Sequence, residues 1–114
     1  MVNPFFILYT MYNIKIANIN EFTEKTVKII IHNGTPIAVY KIGEKYFAFD
    51  NRCPHRGASL GDGIIKGNVI TCPLHSWSFS LKSGQALKNP DCFIKTFPVF
   101  IENNIIKLKY DPKG

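Results

Sequence analysis

Hydrophobic and polar positions alternate in short runs along most of this chain. Asn13-Ile14-Lys15-Ile16-Ala17 alternates polar with apolar, the period of a strand with one buried face. Residues 18–25 read as a loop. Residues 27–31 are a β-branched run with Lys28 expected to face outward, and residues 37–42 are the return strand. Between them His32-Asn33-Gly34-Thr35 carries an Asn-Gly pair, a strong signal for a tight hairpin. Gly43-Glu44-Lys45 turns the chain again into Tyr46-Phe47-Ala48-Phe49. Near the other end, residues 93–97 and 98–102 read as strands, Asn103-Asn104 as a hairpin tip and residues 105–110 as a closing strand. Short strands with frequent turns predict an all-β domain, an antiparallel β sandwich or barrel.

Residues 50–80 interrupt this meander with Gly, Pro and Cys, and predict an inserted subdomain. Gly57, Gly61, Gly63 and Gly67 permit tight turns. Ile64-Ile65 and residues 69–71 read as a small hairpin inside the insert. Trp77 and Phe79 read as core, with Ser76, Ser78 and Ser80 on the other side. Leu81-Lys82-Ser83-Gly84-Gln85 is a hairpin turn, and Lys88-Asn89-Pro90-Asp91 a loop.

Composition narrows the function. A chain of 114 residues makes one domain with a modest core. Its net charge of +6 comes from single lysines scattered between apolar residues. Without a basic stripe the pattern argues against nucleic acid and for an acidic protein partner. Residues 1–12 are apolar but too few for a membrane span, which needs about 20 residues, and they lack the marks of a signal peptide. Three readings remain for residues 1–10: a start at Met11, an extra edge strand or, last, a loose membrane contact. Three cysteines exclude a fully paired disulfide scaffold and fit a reducing cytoplasm.

The chemistry-bearing residues are Cys53-Pro54-His55 and Cys72-Pro73-Leu74-His75, a C-x-H-x16-C-x2-H pattern. Four soft or borderline ligands at close spacing imply a metal site. A zinc knuckle usually supplies two cysteines together. Here each loop offers one thiolate and one imidazole, which suits a dinuclear [2Fe–2S] cluster with both thiolates on one iron and both imidazoles on the other. A zinc-stapled interaction module is the rival reading. His32 lies outside both loops and reads as a surface or capping residue. Cys92, left over, reads as a small buried hydrophobe.

Cys53-Pro-His55-Arg-Gly57 and Cys72-Pro-Leu-His75 resemble the two cluster-binding boxes of Rieske iron–sulfur proteins. Asp50-Asn51-Arg52, Leu60-Gly61-Asp62-Gly63, Trp77-Ser78-Phe79, Gly84-Gln85-Ala86 and residues 91–99 are similar to the small subunit of NAD(P)H-dependent nitrite reductase. The ferredoxins of aromatic-ring dioxygenases share most of these features. The resemblance implies a Rieske-type sandwich over residues 12–110 with a cluster-binding subdomain at about 50–80, flanked by an extension at 1–11 and a tail at 111–114. It also implies a cluster held by Cys53, His55, Cys72 and His75, with the imidazoles outermost; backbone N–H groups in the glycine-containing loops can point at the sulfides. Arg52 and Arg56 would hold the first loop or pair at the surface, and with Lys66 would make the docking face positive.

High-potential respiratory relatives carry an extra Cys in each box and Ser and Tyr hydroxyls near the cluster. The matching positions here are Ala58, Leu74, Trp77 and Phe79, none with such a group. That places the potential at the low end of the Rieske range of about −150 to +300 mV. The expected role is one-electron transfer without a catalytic site of its own. The expected partner is the large subunit of an assimilatory nitrite reductase, or alternatively a reductase and a ring-hydroxylating oxygenase.

Overall fold

The computed structural model describes residues 11–23, 27–54, 57–74 and 77–111. Readings that fall on residues 1–10, His55, Arg56, His75, Ser76 and residues 112–114 lie outside these. The described residues form strands β1 (Tyr12–Asn18), β2 (Val27–His32), β3 (Thr35–Ile42), β4 (Lys45–Asp50), β5 (Ile64–Lys66), β6 (Val69–Thr71), β7 (Ser78–Ser80), β8 (Thr96–Phe97), β9 (Val99–Glu102) and β10 (Ile105–Tyr110). They pair antiparallel in three sheets: β1-β10-β9, β2-β3-β4-β8 and β5-β6-β7.

The sheet β2-β3-β4-β8 lies at the centre because both of its faces are covered. On β3, Ile37 and Val39 enter one buried cluster with Ile106 and Leu108 of β10 and Ala17 of β1. The alternate residues, Ala38 and Tyr40, meet a second cluster with Leu60, Ile70 and Phe79. β4 repeats the division, with Ala48 on the first side and Phe49 on the second. The first cluster closes a two-layer sandwich. The second fixes the 50–80 insert to the outside of that sandwich. A nearly continuous apolar run such as Ile37-Ala38-Val39-Tyr40 is what two buried faces require.

The expected architecture is present, with local corrections. The alternation of β1 breaks at a bulge between Lys15 and Ala17. The extra residue changes the parity, so that Ile14 opposite Leu108 and Ala17 opposite Ile106 both reach the core. The 18–25 loop contains a short 3-10 turn, Ile19–Glu21, closed by a reciprocal cap. Asn18 Oδ1 accepts from Asn20 N at 3.1 Å, and Glu21 Oε2 accepts from Asn18 N at 2.8 Å. Lys28 does not face freely outward: it is half-buried over the Phe22 ring and 3.6 Å from Glu21, whereas Ile29 and Ile31 are exposed at the sheet edge. The expected strand 93–97 shrinks to β8, because Phe93 pairs only by an isolated bridge with Gln85. Asn33 and Gly34, at φ of 50° and 77°, form the expected hairpin turn. Asn103 and Asn104 make the same kind of turn at 52° and 63°.

Candidate metal centre

The two cysteines of the boxes are carried by loops of the insert. The first loop leaves β4 and is tied twice at Cys53: Cys53 N donates to the Ala58 carbonyl at 2.8 Å, and Gly57 N donates to the Cys53 carbonyl at 2.6 Å. An isolated antiparallel bridge, Arg52 to Ser59, closes its base. The second loop joins β6 to β7 and is closed where Cys72 N donates to the Trp77 carbonyl at 2.7 Å. The hairpin β5-β6 returns the chain between the loops, as its apolar pattern predicts.

Both thiols end in one place. Cys53 is 1% exposed and Cys72 2%, and they belong to the same buried cluster as Phe49, Leu60, Ile70 and Phe79. Neither is in a disulfide. Two buried thiols brought together from loops far apart in sequence fit a pair of thiolates on one metal, since thiolate charge in an apolar cluster needs a cation. His55 and His75 occupy the loops next to these cysteines in sequence and lie outside the described residues.

Three glycines tie the first loop and its exit. Their amides bind protein acceptors: Gly57 N the Cys53 carbonyl, Gly61 N the Asn51 side-chain oxygen at 2.7 Å, and Gly63 N the Leu60 carbonyl at 2.9 Å. These bonds close the loop. Arg52 is likewise engaged. Its Nε and Nη2 reach Asp50 at 3.0 and 2.7 Å, and this hydrogen bond, then the charge of Asp50, raises the arginine pKa above its ordinary value. Arg52 is therefore a surface ion-pair residue, the plainer of its two readings. Ala58, half-buried, and Leu74, exposed, carry no thiol, so no disulfide joins the two loops at these positions.

Phe79 is fully buried and Trp77 half-buried against the same cluster, as core positions. Cys92 is only half-buried. It packs on this cluster and lines a surface cleft with Trp77, Lys88 and Pro90. His32 is half-buried at the surface: its Nε2 lies 2.6 Å from the Tyr12 hydroxyl, and its ring packs edge-on against Tyr110. In the sequence reading Asn51 appears only within Asp50-Asn51-Arg52, with no role of its own. It is the one buried polar side chain among the described residues, 6% exposed, and both its amide atoms are bonded. Its sequence signal is a polar residue two positions before Cys53.

A β sandwich carrying two cysteine loops, whose thiols share one buried cluster, is the framework of a metal-binding domain. The chain belongs to the Rieske [2Fe–2S] domain family, whose model matches residues 13–98. It is 38% identical over 96 residues to the ferredoxin component of the naphthalene 1,2-dioxygenase/salicylate 5-hydroxylase systems of a Ralstonia species, covering 83% of this chain and 92% of that protein. Among solved structures, a putative NADH-dependent nitrite reductase small subunit from Mycobacterium tuberculosis superposes with a TM-score of 0.80 at 16% identity, over 89% of this chain and 96% of that one. A chain from the complex of reduced oxygenase and oxidised ferredoxin in carbazole 1,9a-dioxygenase gives 0.74 at 28% identity, over 83% of this chain and 99% of that one. The protein is thus a Rieske-type electron carrier with a [2Fe–2S] cluster. No helix among the described residues is long and apolar enough to cross a membrane.

Proposed function

We propose that this chain is a free-standing ferredoxin that passes single electrons from a reductase to an oxygenase of the ring-hydroxylating type. The observation that carries the reading is the 38% identity extending over 92% of a dioxygenase ferredoxin component. This reverses the order of preference from the sequence reading, which put the nitrite reductase small subunit first. The likeness to that subunit is one of backbone shape at 16% identity, and backbone shape does not select a redox partner.

The ligands in this reading are Cys53 and Cys72 on one iron and His55 and His75 on the other. When bound, the cluster takes up and releases one electron without bond chemistry. The protein residues hold it and keep water from its inner side. Phe49, Leu60, Ile70 and Phe79 surround the thiols and lower the local dielectric. The Cys53 and Cys72 backbone bonds keep both loops closed around their ligands. In this reading the electron would leave by way of His55 and His75 toward the partner.

The test begins with iron and acid-labile sulfide in the purified protein. A brown protein with both supports the cluster; zinc without sulfide overturns it. Stopped-flow mixing of the reduced protein with a naphthalene-dioxygenase-type oxygenase component, and separately with a nitrite reductase large subunit, then distinguishes the partners. Faster reoxidation by the oxygenase is expected. Faster reoxidation by the nitrite reductase subunit would restore the first reading of the sequence.

A further inference from the structure

Asn51 uses every polar group it has to hold the first loop. Its backbone N donates to the Pro36 carbonyl at 2.8 Å, which ties it to the start of β3. Its carbonyl accepts from Leu60 N at 2.8 Å. Its side-chain Nδ2 donates to Ser59 Oγ at 2.8 Å, and its Oδ1 accepts from Gly61 N at 2.7 Å. The residue lies two positions before Cys53, and the groups that it binds lie just after the loop closes, beyond Ala58. It therefore joins three segments: the central sheet, the strand end leading into the first box, and the turn leading out.

Such a bond set has a cost if it is incomplete. A buried amide left without partners is unfavourable, and fully satisfied it fixes one geometry. Burial at 6% exposure keeps water from replacing the lost partners. The Asp50–Arg52 pair on either side of Asn51 is at the surface and contributes little to such fixing. Without Asn51, the base of the loop would keep the Arg52–Ser59 bridge but lose its side-chain clasp.

We propose that Asn51 is a positioning residue for the metal centre: it clamps the mouth of the Cys53 loop and so controls how fast the bound metal is lost, without being needed for the sandwich. The proposal rests on the reading of Cys53 as a ligand. Its partner in the clamp is Ser59. The chemistry asks for one donor and one acceptor at this place. Aspartate has no donor but can keep both bonds as an acceptor, from Gly61 N and from a Ser59 hydroxyl that reverses to donate, while alanine keeps neither.

The experiment compares loaded wild type with Asn51→Ala, Asn51→Asp, Ser59→Ala and Val39→Ala. Val39 is fully buried in the other cluster, so its truncation loosens the sandwich and serves as the stability control. Bleaching of the visible absorbance by bathophenanthroline disulfonate is timed at a temperature where circular dichroism shows all variants folded. Asn51→Ala should bleach faster by about tenfold, equivalent to about 1.4 kcal/mol. Ser59→Ala should give a smaller acceleration, and Asn51→Asp and Val39→Ala should remain close to wild type. If Asn51→Ala does not fold, the Ser59→Ala and Asn51→Asp comparison decides. Wild-type rates in Asn51→Ala, or equal acceleration in Val39→Ala, would overturn the clamp. Should the wild type prove a colourless zinc protein, the cluster reading fails by itself. The clamp is then read from zinc release to 4-(2-pyridylazo)resorcinol, where the same ranking of variants supports it and a flat ranking overturns it.

Discussion

At Phe79 a single hydroxyl would change the redox chemistry. The ring is fully buried in the cluster that holds Cys53 and Cys72, and its neighbours there are apolar. Reduction adds negative charge to the metal centre, so a hydroxyl donor to a ligand sulfur stabilises the reduced state more than the oxidised one. A net hydrogen bond of about 0.5–1.5 kcal/mol converts, at about 59 mV per tenfold change for one electron, to roughly 20–60 mV. Phe79→Tyr is accordingly expected to raise the reduction potential by that amount, measured by redox titration of the visible or EPR signal. An unchanged potential in a loaded variant would show that the position does not face a ligand sulfur. Cys92 marks the other limit of reading single residues. An apolar neighbour, Phe93, suggested burial, yet Phe93 is itself exposed and Cys92 only half-buried. The chain there bridges out of the insert, from Ala86 and Gln85, without entering a full strand.

Among the elements, the β5-β6 hairpin has the narrowest tolerance. Gly63 precedes β5, and a Cβ there would fall inside the contact distance of the Thr71 carbonyl oxygen at the end of β6, directly before Cys72. Backbone cannot yield as a flexible side chain can. Gly63→Ala should therefore push the hairpin and the second box apart. The expected outcome is a poorly loaded protein whose sandwich still folds, because the other cluster of buried residues contains no part of this hairpin. Metal content per chain, set against the circular dichroism melt, checks this. Full loading with an unchanged melt would mean that the hairpin shifts at little cost. The strands of the sandwich were legible from their alternation, and the Asn-Gly and Asn-Asn turns from their residues. The bulge in β1 was not, because an unbroken alternation gives no sign that one residue is to be left unpaired.

Across the whole molecule, acid should loosen the sandwich from its surface. The Asn18 amide, with smaller help from Lys28, holds the Glu21 carboxyl below the ordinary value of 4.5. Lys107, by hydrogen bond and charge, does the same for Glu102 across β9 and β10. A carboxyl whose folded pKa lies below its unfolded value adds stability that is complete above the unfolded pKa. That stability disappears as pH falls through the folded pKa. As these groups are protonated the chain also becomes more positive than its +6 at neutral pH, which adds self-repulsion. Stability to urea should thus decline between about pH 5 and pH 3. A Glu21→Gln, Glu102→Gln double variant should decline less steeply over that range. Equal slopes for the two proteins would place the acid-sensitive groups elsewhere.

The sequence by itself determined the class of structure, the meander of strands and the position of the insert. It also singled out the candidate metal-binding residues, because alternation, turn chemistry and soft-ligand spacing are local properties. Tertiary structure decided the rest. Which side of β3 faces the insert depends on its register against β4, and that register brings Ala38 and Phe49 beneath the two cysteine loops. The pairing of Cys53 with Cys72 in one buried cluster depends on the β5-β6 hairpin returning the chain. The part played by Asn51 depends on Pro36, Ser59 and Gly61 arriving from different segments. A hydrogen bond between distant segments leaves no periodic trace in the chain, so only the fold could reveal it.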